Sequence, residues 1–183
     1  GGIITNVNVP AGTWNHTFDA GFVPINCNCP GNIVLNPSFE HGITNWSFSG
    51  GTLAQGTGGV ACGTYSGDLN NTVATSKAWQ NIGTNLATGT VVNVSVYAGT
   101  HDNTFNNFVA VEFLNASNVV LGSSVYVQVD KILANNPVGP QLYTFTATVP
   151  SGTTTTRVAF GGTGSFTKTD LWCVTLNTPT GSI

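Results

Sequence analysis

The sequence predicts an all-β chain folded as an antiparallel β-sandwich. No stretch sustains a helical apolar period. Apolar and polar residues alternate instead in short runs, and Gly, Pro or Asn clusters bound these runs at near-regular spacing. The clearest runs are VVNVSVY (91–97), FVAVEFL (108–114), SVYVQV (124–129), LYTFTATV (142–149), TRVAF (156–160) and DLWCVTL (170–176). Weaker ones are IVL (33–35), NWSFS (45–49), VACGTY (60–65) and KAWQNI (77–82). Between them, LNASNV (114–119) reads as a hairpin turn and VPSGTTTTRV (149–158) as a longer one. Short alternating strands with this spacing suit a two-sheet sandwich.

Residues 1–30 stand apart. IITNVNVPAGTWNHTF (3–18) alternates like a strand but precedes the start of the domain at Gly31. The expected organisation is an ordered N-terminal strand-forming arm (1–30), a sandwich (31–177) and a short tail (178–183). Such an arm docks as an extra edge strand held through Cys27 or Cys29, or as a strand donated to a neighbouring subunit.

Charge is nearly absent. Of 183 residues only 4 are Lys or Arg and 7 are Asp or Glu, giving 6% charged and a net charge of −3, where an ordinary soluble chain carries about 25%. Four scattered cations provide no field for phosphates, which excludes a nucleic-acid binder. No apolar run approaches the length needed to cross a bilayer as a helix. Five glycosylation sequons, at Asn15, Asn45, Asn70, Asn93 and Asn115, arise at the frequency this Asn- and Thr-rich composition produces, so they carry no inference.

The four cysteines are Cys27, Cys29, Cys62 and Cys173. Cys27 and Cys29 are too close for ordinary disulfide geometry, so each is expected to pair outward, with Cys62 and Cys173 in either order. A zinc site would need a knuckle spacing and nearby histidines that the chain lacks. Disulfides point to an extracellular location.

NIVLNPSFEHGITNW (32–46) resembles the opening of family 4/9 carbohydrate-binding modules, and LYTFTATVPSGTTTTRVAFGGTG (142–164) and DLWCVTL resemble their closing segments. The chain is also similar to modules of secreted bacterial surface and adhesin proteins, on CNCPGN (27–32) and YAGTH (97–101). The resemblance implies a jelly-roll sandwich. It further implies that Glu40, in the opening motif, and Asp170, at the last strand, hold a structural calcium ion together with backbone carbonyls, as a cation wanting six to eight oxygens requires. The competing reading of each acid is a carboxylate that accepts backbone N–H bonds.

Enzyme chemistry finds little support. Glycoside hydrolysis needs two carboxylates across one cleft, and the only glutamates, Glu40 and Glu112, are far apart with no paired acid on either strand. GTYSG (63–67) has Tyr65 where a nucleophile elbow needs serine, and no helix follows. His101 and Asp102 are adjacent and read as a loop pair. Binding fits better, because sugars are held by aromatic faces with a few amide and hydroxyl bonds. Trp79 and Gln80, with Tyr97 and Tyr126, are the expected glycan platform. Trp46 reads as core, and Trp172 could face either side.

Two functions of different class follow. One is a non-catalytic module binding a polysaccharide or cell-surface glycan. The other is a subunit of an extracellular fibre that binds copies of itself through residues 3–18, an idea favoured by an almost uncharged surface with few charged edges to resist strand pairing.

Overall fold

The structure is a computed structural model and describes residues 27–71, 76–101, 106–130, 139–163 and 166–179. The arm segment 3–18, His16 and Asp102 lie outside these residues, as does the end of the tail.

Ten strands form two antiparallel sheets. They are β1 (Ser47–Ser49), β2 (Thr52–Gly56), β3 (Ser66–Asn70), β4 (Ser76–Thr84), β5 (Val91–Thr100), β6 (Phe108–Leu114), β7 (Val125–Gln128), β8 (Gln141–Thr148), β9 (Thr155–Gly162) and β10 (Phe166–Asn177). Sheet A runs β1-β4-β9-β6-β7 and sheet B runs β2-β3-β10-β5-β8. This is the predicted sandwich.

Alternation places the core. Val109, Val111 and Phe113 of β6 face Val92, Val94 and Val96 of β5 across the layer, with Val158 and Phe160 of β9 and Trp172 of β10 among them. Trp46 is buried as expected, and Trp172 turns fully inward. Phe39 stacks on Trp46 with centroids 5.0 Å apart. Gly67 makes room for that ring, because a Cβ there would lie 2.4 Å from it. Burying such aromatics stabilises by about 2–3 kcal/mol each, so this corner anchors the fold.

Four readings of the sequence change. Residues 33–35 form no strand: Asn32 bonds Trp172 O and Val174 N through its side chain, and Ile33 N bonds Val174 O. Residues 60–65 form a loop rather than a strand, because their N–H groups go to carboxylates. The 149–158 segment is a crossover, since β8 and β9 belong to different sheets. Val149 bonds Thr90 beside sheet B, whereas Thr154 N reaches Leu114 O at sheet A. Strands β2 and β3 went unread because TLAQG and SGDLN carry almost no apolar signal. The turn after β6 stands as read, closed by Asn118 N to Asn115 O and Asn115 N to Val119 O.

Cys27 pairs with Cys62, and Cys29 with Cys173. Both outward pairings were expected. Among the described residues no helix is long and apolar enough to cross a membrane.

Candidate functional site: the outer face of sheet A

Register decides which side chains share a face. Trp79 of β4 lies opposite Ala159 of β9, Ala159 opposite Ala110 of β6, and Ala110 opposite Tyr126 of β7. Directly opposed residues point to the same side, so Trp79 and Tyr126 end one row across four strands. At about 4.8 Å per strand the two positions stand roughly 14 Å apart. One neighbouring row carries Lys77, Gly161, Phe108 and Gln128; the other carries Asn81, Arg157 and Glu112. The core residues Val109, Val111, Val158 and Phe160 alternate with these, so all three rows face outward.

Glu112 is the centre of this face. It is fully buried even though it points away from the core, because other side chains close over it. Its Oε1 accepts Lys77 Nζ at 2.9 Å and the Tyr126 hydroxyl. Its Oε2 accepts Arg157 Nε at 2.6 Å and Lys77 Nζ at 3.2 Å. The alanine and glycine floor leaves Lys77 room to reach across. Burial alone would raise the Glu112 carboxyl; the Tyr126 hydroxyl, Lys77 and Arg157 together outweigh it and lower the carboxyl below its ordinary value. The Tyr126 hydroxyl is raised by burial and by its bond to Glu112. Arg157 also lies 5.0 Å from the Trp79 ring centroid, a cation–π contact.

Around this network the surface is hollowed. A cleft of about 530 Å³ is lined by Lys77, Phe108, Glu112 and Tyr126 together with Ser49 and Thr163. Phe108 meets Tyr126 edge-on at 5.1 Å. A second hollow of about 280 Å³ lies beside Trp79, with Leu35, Ser47 and Asn81. Aromatic walls, amides, hydroxyls and two cations on one face can stack against a pyranose ring and hydrogen-bond its substituents.

The expected platform is therefore divided. Trp79 and Tyr126 share the face. Gln80 turns inward, and its amide is spent on Leu35, accepting its N–H at 2.7 Å and donating to its carbonyl at 2.9 Å. Tyr97 lies on the opposite side of the sandwich, beside Leu142 and the Cys29–Cys173 disulfide. Lys77, Phe108 and Arg157 carry no site role in the sequence reading, and Glu112 is weighed there only as a possible catalytic acid.

Glu40 and Asp170 do converge, on one loop. Glu40 Oε1 accepts the N–H groups of Thr64 and Tyr65, both at 2.9 Å. Asp170 Oδ2 accepts those of Ala61 and Cys62 at 2.6 and 2.8 Å, and Oδ1 that of Leu171 at 2.7 Å. Backbone φ is positive at Phe39 and Leu171, next to each acid, where non-glycine residues seldom go. At Leu171 this coincides with a register shift in β10 between Asp170 and Cys173. Burial outweighs the N–H bonds and raises the Asp170 carboxyl to about 6. Both acids thus face N–H donors, whose partial positive charge repels a cation. Placed so, they do not fit a shared calcium ion. Among the described residues no group of three or more His, Cys, Asp or Glu side chains is placed to hold a metal.

No protein-family model matches the sequence, and no curated protein matches it. Solved structures do. A xylan-binding domain of carbohydrate-binding family 22 superposes with a TM-score of 0.57 at 14% identity, covering 84% of this chain and 99% of that one. A family 61 module in complex with β-1,4-galactotriose gives 0.51 at 17% identity, covering 80% and 99%. The enzymatically active domain of bacteriophage CBA120 tailspike protein 4 gives 0.60 at 19% identity, covering 80% of this chain and 22% of that one. The fold is shared with carbohydrate-binding modules. The families reached by structure are 16, 22 and 61, whereas the sequence motifs resemble families 4/9.

Proposed function

We propose that this chain is a non-catalytic, extracellular glycan-binding module, and that the outer face of sheet A is its binding surface. The observation that carries the reading is the row ending in Trp79 and Tyr126, with the Lys77–Glu112–Arg157 network beside it on the same face. The similar modules with named xylan and galactotriose ligands support it. Catalysis is disfavoured because both Glu112 oxygens already accept two donors each. Among the described residues no second carboxylate joins it on that face. Two disulfides suit an oxidising compartment.

Affinity electrophoresis and calorimetry against soluble xylan, β-1,4-galactan, β-glucan and polygalacturonate test the reading. We expect Trp79→Ala and Tyr126→Ala each to weaken binding by about tenfold or more, equivalent to ~1.4 kcal/mol. Tyr97→Ala, on the other side, should leave it unchanged. Loss of binding in Tyr97→Ala alone, or no binding to any polymer, would reject the assignment.

A further inference from the structure

Resting on that reading of the sheet A face, we propose that its ligand is a polysaccharide bearing carboxylates, a polyuronate, rather than a neutral glycan. The face is rich in hydrogen-bond donors and poor in charged acceptors. A carboxylate has two oxygens with about four acceptor sites. Glu112 fills its four with two contacts from Lys77, one from Tyr126 and one from Arg157. It has nothing left to offer a ligand, and it is sealed from solvent.

The cations are not exhausted in the same way. Arg157 engages only Nε among the described residues, which leaves both terminal nitrogens of its fork beside Trp79. Lys77 carries three donors and lines the cleft. Two cations against one carboxylate leave the face with a surplus of one positive charge. These are two of only four cations in the chain, and Lys168, on the other sheet, is paired with Asp68. A sugar stacked on the free part of the Trp79 indole brings its exocyclic group within reach of the guanidinium. A carboxylate there supplies the acceptors and the charge that the face lacks, and the planar fork matches it in two contacts.

The overall charge of −3 makes this a selective claim. It opposes capture of any polyanion at long range, so a preference for one must come from the local site.

The test compares polygalacturonate and alginate, each beside its carboxyl-reduced product, which keeps the chain and loses the charge. Dextran sulfate serves as a polyanion of different geometry. We expect each polyuronate to bind at least tenfold more tightly than its reduced form at low salt, the gap to narrow in 0.5 M NaCl, and Trp79→Ala to weaken binding of both forms by about tenfold or more. Arg157→Lys keeps the charge and the pairing partner but loses the fork, and should narrow the gap severalfold. Equal affinity for native and reduced polymers would overturn the inference while leaving the glycan reading standing. Dextran sulfate binding as tightly as the polyuronates would overturn it too, since charge alone would then suffice. Binding of none of these polymers would overturn the inference, and would remove the glycan reading as well only if xylan, β-1,4-galactan and β-glucan also fail to bind.

Discussion

Removing the Cys29–Cys173 disulfide should destabilise the domain strongly without touching the proposed binding face. This bond joins residues 144 apart in sequence. In the chain-entropy treatment a loop of that length removes about 17 cal/mol/K from the unfolded chain, or about 5 kcal/mol at 25 °C. Cys27–Cys62 spans 35 residues and by the same relation contributes about 4 kcal/mol. The loops interleave, so removing both should cost less than the sum. For a domain of this size each kcal/mol moves the melting temperature by about 2–4 °C. Replacing Cys29 and Cys173 by serine should therefore lower Tm by about 10–20 °C, and replacing Cys27 and Cys62 by somewhat less. Differential scanning fluorimetry gives the shifts, and calorimetry well below the melt gives glycan affinity. The disulfide lies over the outer side of sheet B, so affinity should be unchanged. A shift below about 3 °C would refute the entropic reasoning. A folded double variant that no longer binds would show that the wrong face has been assigned.

Three further outcomes follow from the buried carboxylates. Glu112→Gln leaves Lys77 and Arg157 facing a neutral group and should cost about 2–4 kcal/mol in urea unfolding; a loss under about 0.5 kcal/mol would mean the pair is not closed in solution. On the acid side, Glu112 has a lowered carboxyl, so its contribution is present above the unfolded value of 4.5 and is lost as pH falls through its lower folded value. Asp170 works the other way: its folded value of about 6 exceeds the unfolded 3.8, so the folded state takes up the proton first and stability rises as pH falls from about 6 towards about 4. Together they place maximum stability near pH 4–5, and a denaturation series peaking at pH 7 or above would contradict this.

Strong alternation was legible in the sequence; pairing between distant residues was not. FVAVEFL was read to the residue as β6 because one of its faces is entirely core. SGDLN, by contrast, is strand β3 only because it lies between β2 and β10 and covers Phe39, which no local pattern records. VACGTY alternates like a strand, yet its backbone donors are claimed by Glu40 and Asp170 from far along the chain. The site divides in the same way. Trp79 is legible as an aromatic on a weakly apolar, polar-flanked strand, and Tyr126 as an aromatic on a strongly alternating one. Glu112 looked like a lone glutamate because its partners Lys77 and Arg157 are 35 and 45 residues away, and only the β4-β9-β6 order brings them together. A signal was present: in a chain with 6% charged residues, a carboxylate within an apolar strand needs cations close by, and few were available to choose from.

The same reasoning separates an acid that waits for a metal from one that is already satisfied. Glu40 and Asp170 meet at the loop 61–65, where amide hydrogens of that loop lie against Glu40 Oε1 and Asp170 Oδ2. The loop is held from outside by Cys27–Cys62. It is shaped from within by Gly63 at φ 81°, where any Cβ would come within 2.4 Å of Glu40 Oε1. A calcium ion binding here would have to turn four amides away while the disulfide resists. Each amide bond to a charged acceptor contributes about 1.5–3 kcal/mol at most and less at an exposed site; Glu40 is exposed. Glu40→Gln should therefore lower stability by only about 1 kcal/mol, equally in EDTA and in calcium, and EDTA alone should leave the wild-type melt within about 1 °C, well inside one kcal/mol for a domain of this size. A melt raised by several degrees in millimolar calcium, and no longer raised in Glu40→Gln, would mean that the amides yield and that the acids clamp a cation after all.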